Sequence, residues 1–299
     1  MKTVWLGAVV MYAVLVICCV CTIASQAQNQ VAVMDARGWD VSTRLPLRGN
    51  WTLIEHKLVP PEAIRDETVT STITFPSLWN DRRLDGKGIG YETYALDILI
   101  PDSIERMALE IPQLYSSYNV WVNGDLVSSA GDVGVDKAAV KPKWVYQYAS
   151  FPAAQDTLHV VLQLANFHHH KGGAMNALHL GREDKIRSHF NWSVGSNIIE
   201  ASILFLEGLF FIFFHQKIRK PVILYFALLC ITWSVRSVFS NLYPFVLIFP
   251  DFDWEWQVKI EYLTLYLTVI WAALFFHTLF ADISNRIFTY LPIAINLFF

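Results

Sequence analysis

Three apolar runs in the last third of the chain constrain its fold more than any other feature. They cover about 197–214, 222–240 and 258–280. At about 1.5 Å per helical residue, each is long enough to cross a hydrocarbon core of about 30 Å. Residues 203–214 are apolar almost all round, a pattern that suits a helix bathed in lipid better than one on a soluble core. A fourth run starts near Ile287 and reaches Phe299, too short to cross. Residues 196–299 are therefore expected to be the N-terminal part of an α-helical transmembrane bundle, with three full spans and part of a fourth.

The loops between the runs orient them. The corner 215–220 carries Lys217, Arg219 and Lys220, whereas 241–256 carries Asp251, Asp253 and Glu255 and no Lys or Arg. Because basic loops stay in the cytoplasm, the first corner faces the cell interior and the acidic loop faces out. The N-terminus argues the same way. Lys2 precedes an apolar stretch from Val4 to Ile23 that ends in Ala24-Ser25-Gln26-Ala27, the layout of a secretory signal peptide over 1–27. An uncleaved anchor is the alternative, and both place the following residues outside. The expected location is the cytoplasmic (inner) membrane, multi-pass, with a periplasmic or extracellular N-terminal domain. Trp192, Tyr243, Trp254 and Trp256 then fall at the outer interface.

The stretch 28–187 reads differently. The apolar excess of the chain, 54% hydrophobic against 16% charged, is concentrated outside it. Its periodicity is two: Tyr94, Leu96 and Ile98 alternate with Ala95 and Asp97, Met107, Leu109 and Ile111 with Ala108 and Glu110, and Leu158, Val160 and Leu162 with His159 and Val161. Such strands place one face on a core and the other in water or under a cover. Asn123-Gly124 between two strand patterns predicts a type I′ hairpin. Many short strands with turn signals between them indicate an all-β jelly roll or sandwich. All four cysteines (Cys18, Cys19, Cys21 and Cys230) lie outside this stretch, so it forms no internal disulfide and no thiolate metal site. A net charge of −3 with no basic stripe argues against nucleic acid as a partner.

Several motifs carry a resemblance. Gly90-Tyr91-Glu92-Thr93-Tyr94 leading into a strand, with Tyr118 to Gly124, resembles the galactose-binding-type jelly roll that also serves as the sugar-binding domain of family 2 glycosidases. Asn166-Phe167-His168-His169-His170-Lys171-Gly172-Gly173 followed by membrane spans, with Lys259-Ile260-Glu261-Tyr262-Leu263 opening the third span, resembles the bacterial seven-transmembrane receptors with diverse intracellular signalling modules. That resemblance implies a sensor whose outer domain binds a small-molecule or carbohydrate ligand. Its helices would then signal to a cytoplasmic histidine kinase, diguanylate cyclase, adenylate cyclase or phosphatase beyond this chain. Ser188 to Gly195 (188–195) would be the juxtamembrane link. The expected partners are the ligand, the lipid bilayer and, among the assemblies left open, a second copy in a homodimer.

Candidate site residues follow from side-chain chemistry. Sugar rings stack on exposed aromatics, which nominates Trp79, Tyr91, Tyr115 and Trp144 as ligand contacts, with Trp79 and Trp144 in expected loops and Trp121 assigned to the core. His168, His169 and Lys171 join them as loop residues. The His run invites a metal reading, but no third ligand has a known position, so no metal and no cofactor is assigned; a hydrogen-bonded corner, marked by Gly172-Gly173, is the other reading. Gly86 to Gly90 is a loop rather than a dinucleotide fingerprint. Asp81, Asp85 and Glu92 offer carboxylates, but no nucleophile elbow or Cys–His pairing accompanies them, and the outer domain is read as non-catalytic.

In the spans, Glu200, Arg236 and Glu261 come to roughly the same depth below the outer interface at about 1.5 Å per residue. Charges there need partners, so Arg236 is expected to pair with Glu200 or Glu261. Glu207 shares a helical face with Glu200. The function these readings support is a membrane signal-transduction receptor. Its rivals are a transporter or channel with an accessory domain, disfavoured by continuous spans, and a membrane-anchored glycan-processing enzyme.

Overall fold

A computed structural model describes residues 31–67, 71–101, 105–153, 155–280 and position 294. The expected signal peptide and the fourth apolar run lie outside the described residues. The strands are β1 (Val33–Asp35), β2 (Leu45–Pro46), β3 (Gly49–Glu55), β4 (Ser71–Phe75), β5 (Gly90–Leu99), β6 (Arg106–Ile111), β7 (Ser117–Val122), β8 (Asp125–Ala130), β9 (Gln147–Pro152), β10 (Thr157–Asn166) and β11 (His179–Arg182). A one-turn helix, α1 (Trp79–Arg82), precedes β5. After β11 come α2 (Glu183–Ile218), α3 (Pro221–Phe239), the short α4 (Pro244–Ile248) and α5 (Trp254–Leu279).

The strands form a sandwich of two sheets. One has the order β4–β3–β5–β10–β7–β8, with β1 parallel to β5 beside β3; the other has the order β2–β11–β6–β9. The period-two residues explain the core: Trp51, Leu53, Tyr94, Leu96, Ile98, Tyr118, Val120, Leu158, Leu162 and Leu164 are all buried. The hairpin β7–β8 turns through Asn123 and Gly124 at φ 53° and 92°, the positive pair that a type I′ turn requires. Trp121, assigned to the core, is half-buried on the outward face of its sheet.

The described residues fall into two compact units. Met1–Met107, Leu114–Pro142 and Ala149–Arg182 bound the first; Ala108–Gln113, Lys143–Tyr148 and Glu183–Phe299 bound the second. The second contains three helices long and apolar enough to cross a membrane: α2, α3 and α5. Pro221 starts α3, where a missing N–H costs nothing, and the Asp253 carboxylate caps α5 by accepting from Trp256 N at 3.1 Å. Residues 188–195, expected as a link, are part of the unbroken helix α2.

Candidate ligand and relay sites

The sequence-nominated loop residues lie at one end of the β unit and are knitted into a corner. Asn166 Nδ2 donates to the carbonyls of Gly88 (2.7 Å), His169 (2.7 Å) and Lys171 (2.8 Å), and Asn80 Nδ2 donates to that of His170 (2.8 Å). Gly88 and Gly172 approach so closely that a Cβ on either would overlap the other loop's backbone. His169 is buried with its ring stacked on Tyr115, centroids 5.2 Å apart. Burial holds its imidazole below the usual range, at about 4. His168 is exposed; its Nε2 lies 3.0 Å from the Val140 carbonyl. Lys171 and Tyr91 are half-buried, and Tyr91 stands between His56 and Phe167, each ring centroid 6.3 Å away. Among the described residues, no group of three or more His, Cys, Asp or Glu side chains is arranged to hold a metal.

Trp79 and Trp144, expected in exposed loops, are both buried. Trp79 opens α1 and lies in the core. Its indole N–H donates to Tyr94 Oη at 2.7 Å, the Arg83 guanidinium covers its ring at 4.4 Å, and Gly172-Gly173 packs against it. Neither ring offers a free face for stacking. The same network accounts for Glu92, one of the carboxylates noted in the sequence. It is fully buried, ion-paired to Arg82 and to Arg83 (2.8 Å), and accepts from Tyr94 Oη at 2.5 Å. Burial, then the Glu92 charge, holds the Tyr94 hydroxyl well above its usual range. Two guanidiniums and a phenol thus brace this carboxylate in place.

The β unit also has a cleft that the sequence reading did not nominate. Residues 57–66 cover the outward face of β5 and β10: Val59 and Ile64 pack with Ile54, Ala95 and Val161. Val59 N donates to Thr93 Oγ1 (3.0 Å), and Gln163 Nε2 donates to the Val59 carbonyl (3.0 Å). Beside this cover lies a cavity of about 350 Å³, lined among others by Glu62, Arg65, Asp97, Asn123 and His159. His159 Nδ1 lies 2.7 Å from Asp97 Oδ1, and Arg65 Nη2 is 3.7 Å from Asp97 Oδ2. Asp97 and His159 are direct partners across the β5–β10 ladder, a pairing that no single-strand pattern reveals.

In the second unit, polar groups gather where the two extended segments meet the helices. Glu110, buried, accepts from Tyr146 Oη (2.7 Å), and its other oxygen lies 3.2 Å from His189 Nδ1 on α2. Phe190 stacks on Tyr146, centroids 5.1 Å apart, and contacts Tyr148 at 5.0 Å. Trp144 packs edge-on against Trp254 at 5.4 Å and beside Tyr243 at 6.1 Å, and its carbonyl accepts from Gln257 Nε2. Tyr243 is one of the rings expected at the outer interface. Its side chain is buried against other protein groups, at a left-handed φ of 49° immediately before Pro244, and its hydroxyl donates to Gln113 Oε1 (2.8 Å) and lies 3.4 Å from Glu261 Oε2. A bulky non-glycine residue at positive φ costs about 1–3 kcal/mol and persists only where packing over-determines it.

The charges in the spans are placed as follows. Arg236 Nη1 donates to the main-chain carbonyl of Glu261 at 2.7 Å, joining α3 to α5. The Glu261 carboxylate is turned toward Tyr243. Glu200 lines a separate groove between α2 and α3 with Ile203 and Trp233. Glu207 precedes Gly208, where α2 and α3 touch: a Cβ at 208 would meet Ile231 Cγ1 at 2.5 Å.

Residues 199–299 match the family described as 7TM diverse intracellular signalling. Among curated proteins nothing matches. Among solved structures, the chain is similar to Bacteroides uniformis β-glucuronidase 2 covalently bound to cyclophellitol-6-carboxylate aziridine, at 15% identity over 46% of this chain and 17% of that one, TM-score 0.35. It is also similar to Faecalibacterium prausnitzii β-glucuronidase (16% identity, 42% and 21% covered, TM-score 0.32) and to a GH2 β-galacturonidase from Eisenbergiella tayi bound to galacturonate (12%, 47% and 24%, TM-score 0.35). The chain thus spans less than a quarter of the length of each of these three enzymes. The segment 199–299 of this multi-pass membrane protein, which holds most of its three long apolar helices, is thus similar to the 7TM diverse intracellular signalling family, and a β-sandwich precedes it.

Proposed function

We infer that the protein is a signal-transduction receptor whose outer β unit is non-catalytic. The outer β unit captures a small molecule, with carbohydrate the leading class, and the helices pass the event to a cytoplasmic output module. The observation that carries this reading is the cluster around Tyr243. Extended segments 108–113 and 143–148 are gripped by α2 through Glu110–His189 and Phe190, and by the 243–261 region through Gln113, Trp144 and Gln257. A shift of either segment would therefore reach Glu261 and, through its carbonyl, Arg236 on the neighbouring span. A buried, strained residue holding two polar contacts is the kind of two-state element that a ligand can bias. In this reading the β unit lies on the periplasmic or outer face of the inner membrane.

The test uses the full chain in lipid nanodiscs, screened on a printed glycan array. Spin labels at Gln216 and His277 then report on the ends of α2 and α5. A glycan that binds should change the distance distribution between the labels, and Tyr243→Phe, which keeps the ring and removes the hydroxyl, should abolish the change while leaving glycan binding within about two-fold. Binding with an unchanged distribution overturns the relay. Uptake of the bound sugar into proteoliposomes replaces the receptor with a transporter.

A further inference from the structure

The geometry points to the outer-face cleft over Asp97 and His159 as a binding site for a neutral polyhydroxylated ligand of pyranoside size. This rests on the receptor reading and locates its ligand away from the loop corner that the sequence nominates. Three observations converge.

First, the cavity of about 350 Å³ falls within the range of about 300–1,000 Å³ typical of small-molecule sites. Second, its lining is divided by chemistry. Val31 and Pro61, both partly exposed, supply an apolar side able to meet the C–H face of a sugar ring, whereas Glu62, Asp97, Asn123, His159 and Arg65 supply acceptors and donors suited to hydroxyls. Third, the polar groups are held in place. Asp97 is only 18% exposed and is fixed by His159 at 2.7 Å; the His159 main-chain N–H donates to Asn123 Oδ1 at 2.8 Å; and the 57–66 cover is pinned to β5 and β10. Orientation set in advance lowers the ordering cost of binding.

Charge selects the ligand class. Two carboxylates, Glu62 and Asp97, face one guanidinium, Arg65. The lining therefore has no positive surplus to attract a uronate or phosphate. Arg65 lies against Asp97, which offsets one of the negative charges that would otherwise favour an amine.

Ligand-detected NMR titrations of the full chain in nanodiscs test this, with methyl β-D-glucopyranoside and methyl β-D-galactopyranoside as neutral probes, D-glucuronate as the anion and D-glucosamine as the cation. At least one neutral glycoside should bind at least ten-fold more tightly than both charged sugars. Asp97→Asn combined with His159→Ala should weaken that binding at least ten-fold. Glu62→Gln and Arg65→Ala, both at exposed positions of the cover, should each weaken it at least three-fold, and Lys141→Ala, outside the cleft lining, should leave it unchanged. Neutral binding that survives the Glu62 and Arg65 variants overturns the site. Absence of neutral binding, or tighter binding of glucuronate or glucosamine, overturns the ligand class. Binding through the cleft without any response at the α2 and α5 labels leaves this site standing and defeats the receptor reading instead.

Discussion

His169 shows how one buried side chain makes a region sensitive to pH. Its imidazole, stacked on Tyr115 and accepting from Lys171 N at 3.1 Å, is held by burial at about 4, against an ordinary value near 6.5. Between those two values the unfolded chain binds a proton that the folded chain refuses, so stability falls as pH drops through about 6.5 to 4 and is fully present above it. A shift of that size corresponds to up to about 3 kcal/mol at the acid end. In His169→Phe, which keeps an aromatic stack, thermal unfolding of the full chain should lose that part of its pH dependence. Curves for the two proteins should therefore converge between pH 6.5 and 4, and parallel curves would show that the imidazole does not titrate this way. Glu92 makes the complementary point, because a carboxylate can sit fully buried at neutral pH when two guanidiniums and a phenol surround it. Sequence alone could not separate it from Asp81 and Asp85 as a catalytic candidate, because its guanidinium partners, Arg82 and Arg83, lie outside its own strand.

At the scale of elements, alternation was legible wherever one face alone met a core. Tyr94, Leu96 and Ile98 point inward as their spacing predicts, and Asn123-Gly124 turns as its φ preferences require. Alternation fell short where the second face was covered as well. Ala95 and Val161 are buried by 57–66, and Glu110 is buried with Tyr146 Oη donating to one oxygen and His189 Nδ1 3.2 Å from the other. Trp79 and Trp144 were misplaced for a related reason: irregular backbone reads as exposed, but here a one-turn helix and a segment under Tyr243 and Trp254 are enclosed. The helices pack by a rule that hydropathy does not encode, small residues at close crossings. Gly208 is such a point, and Ser234 Oγ on α3 donates to the Ala201 carbonyl on α2 at 2.7 Å. Gly208→Leu should force α2 and α3 apart at a cost of about 1–3 kcal/mol. Cysteines placed at 201 and 234 should then cross-link well in the parent and poorly in the Leu variant; equal yields would remove Gly208 as the spacer.

For the molecule as a whole, everything proposed about ligand and output depends on which side of the bilayer each loop occupies. Lys217, Arg219 and Lys220 lie at the corner between α2 and α3, whereas Asp251 and Asp253 precede α5 and Glu255 lies in its first turn, so the segments flanking α3 carry three cations on one side and three anions on the other. Basic loops this short resist translocation, whereas acidic ones contribute little to orientation. The signal therefore resides in the corner 217–220. A fluorescent protein inserted there should fold and emit, since it matures in the cytoplasm, and alkaline phosphatase at the same point should be inactive. The same two reporters in the 251–253 turn should give the opposite pair of results. Changing Lys217, Arg219 and Lys220 to Ala while adding three Lys in the 251–255 loop should blur or reverse both readouts, because the positive ends of α3 would then be exchanged. If the corner reports from outside in the parent protein, the β unit and the apolar spans keep their structures, but the direction of signalling proposed for them is lost.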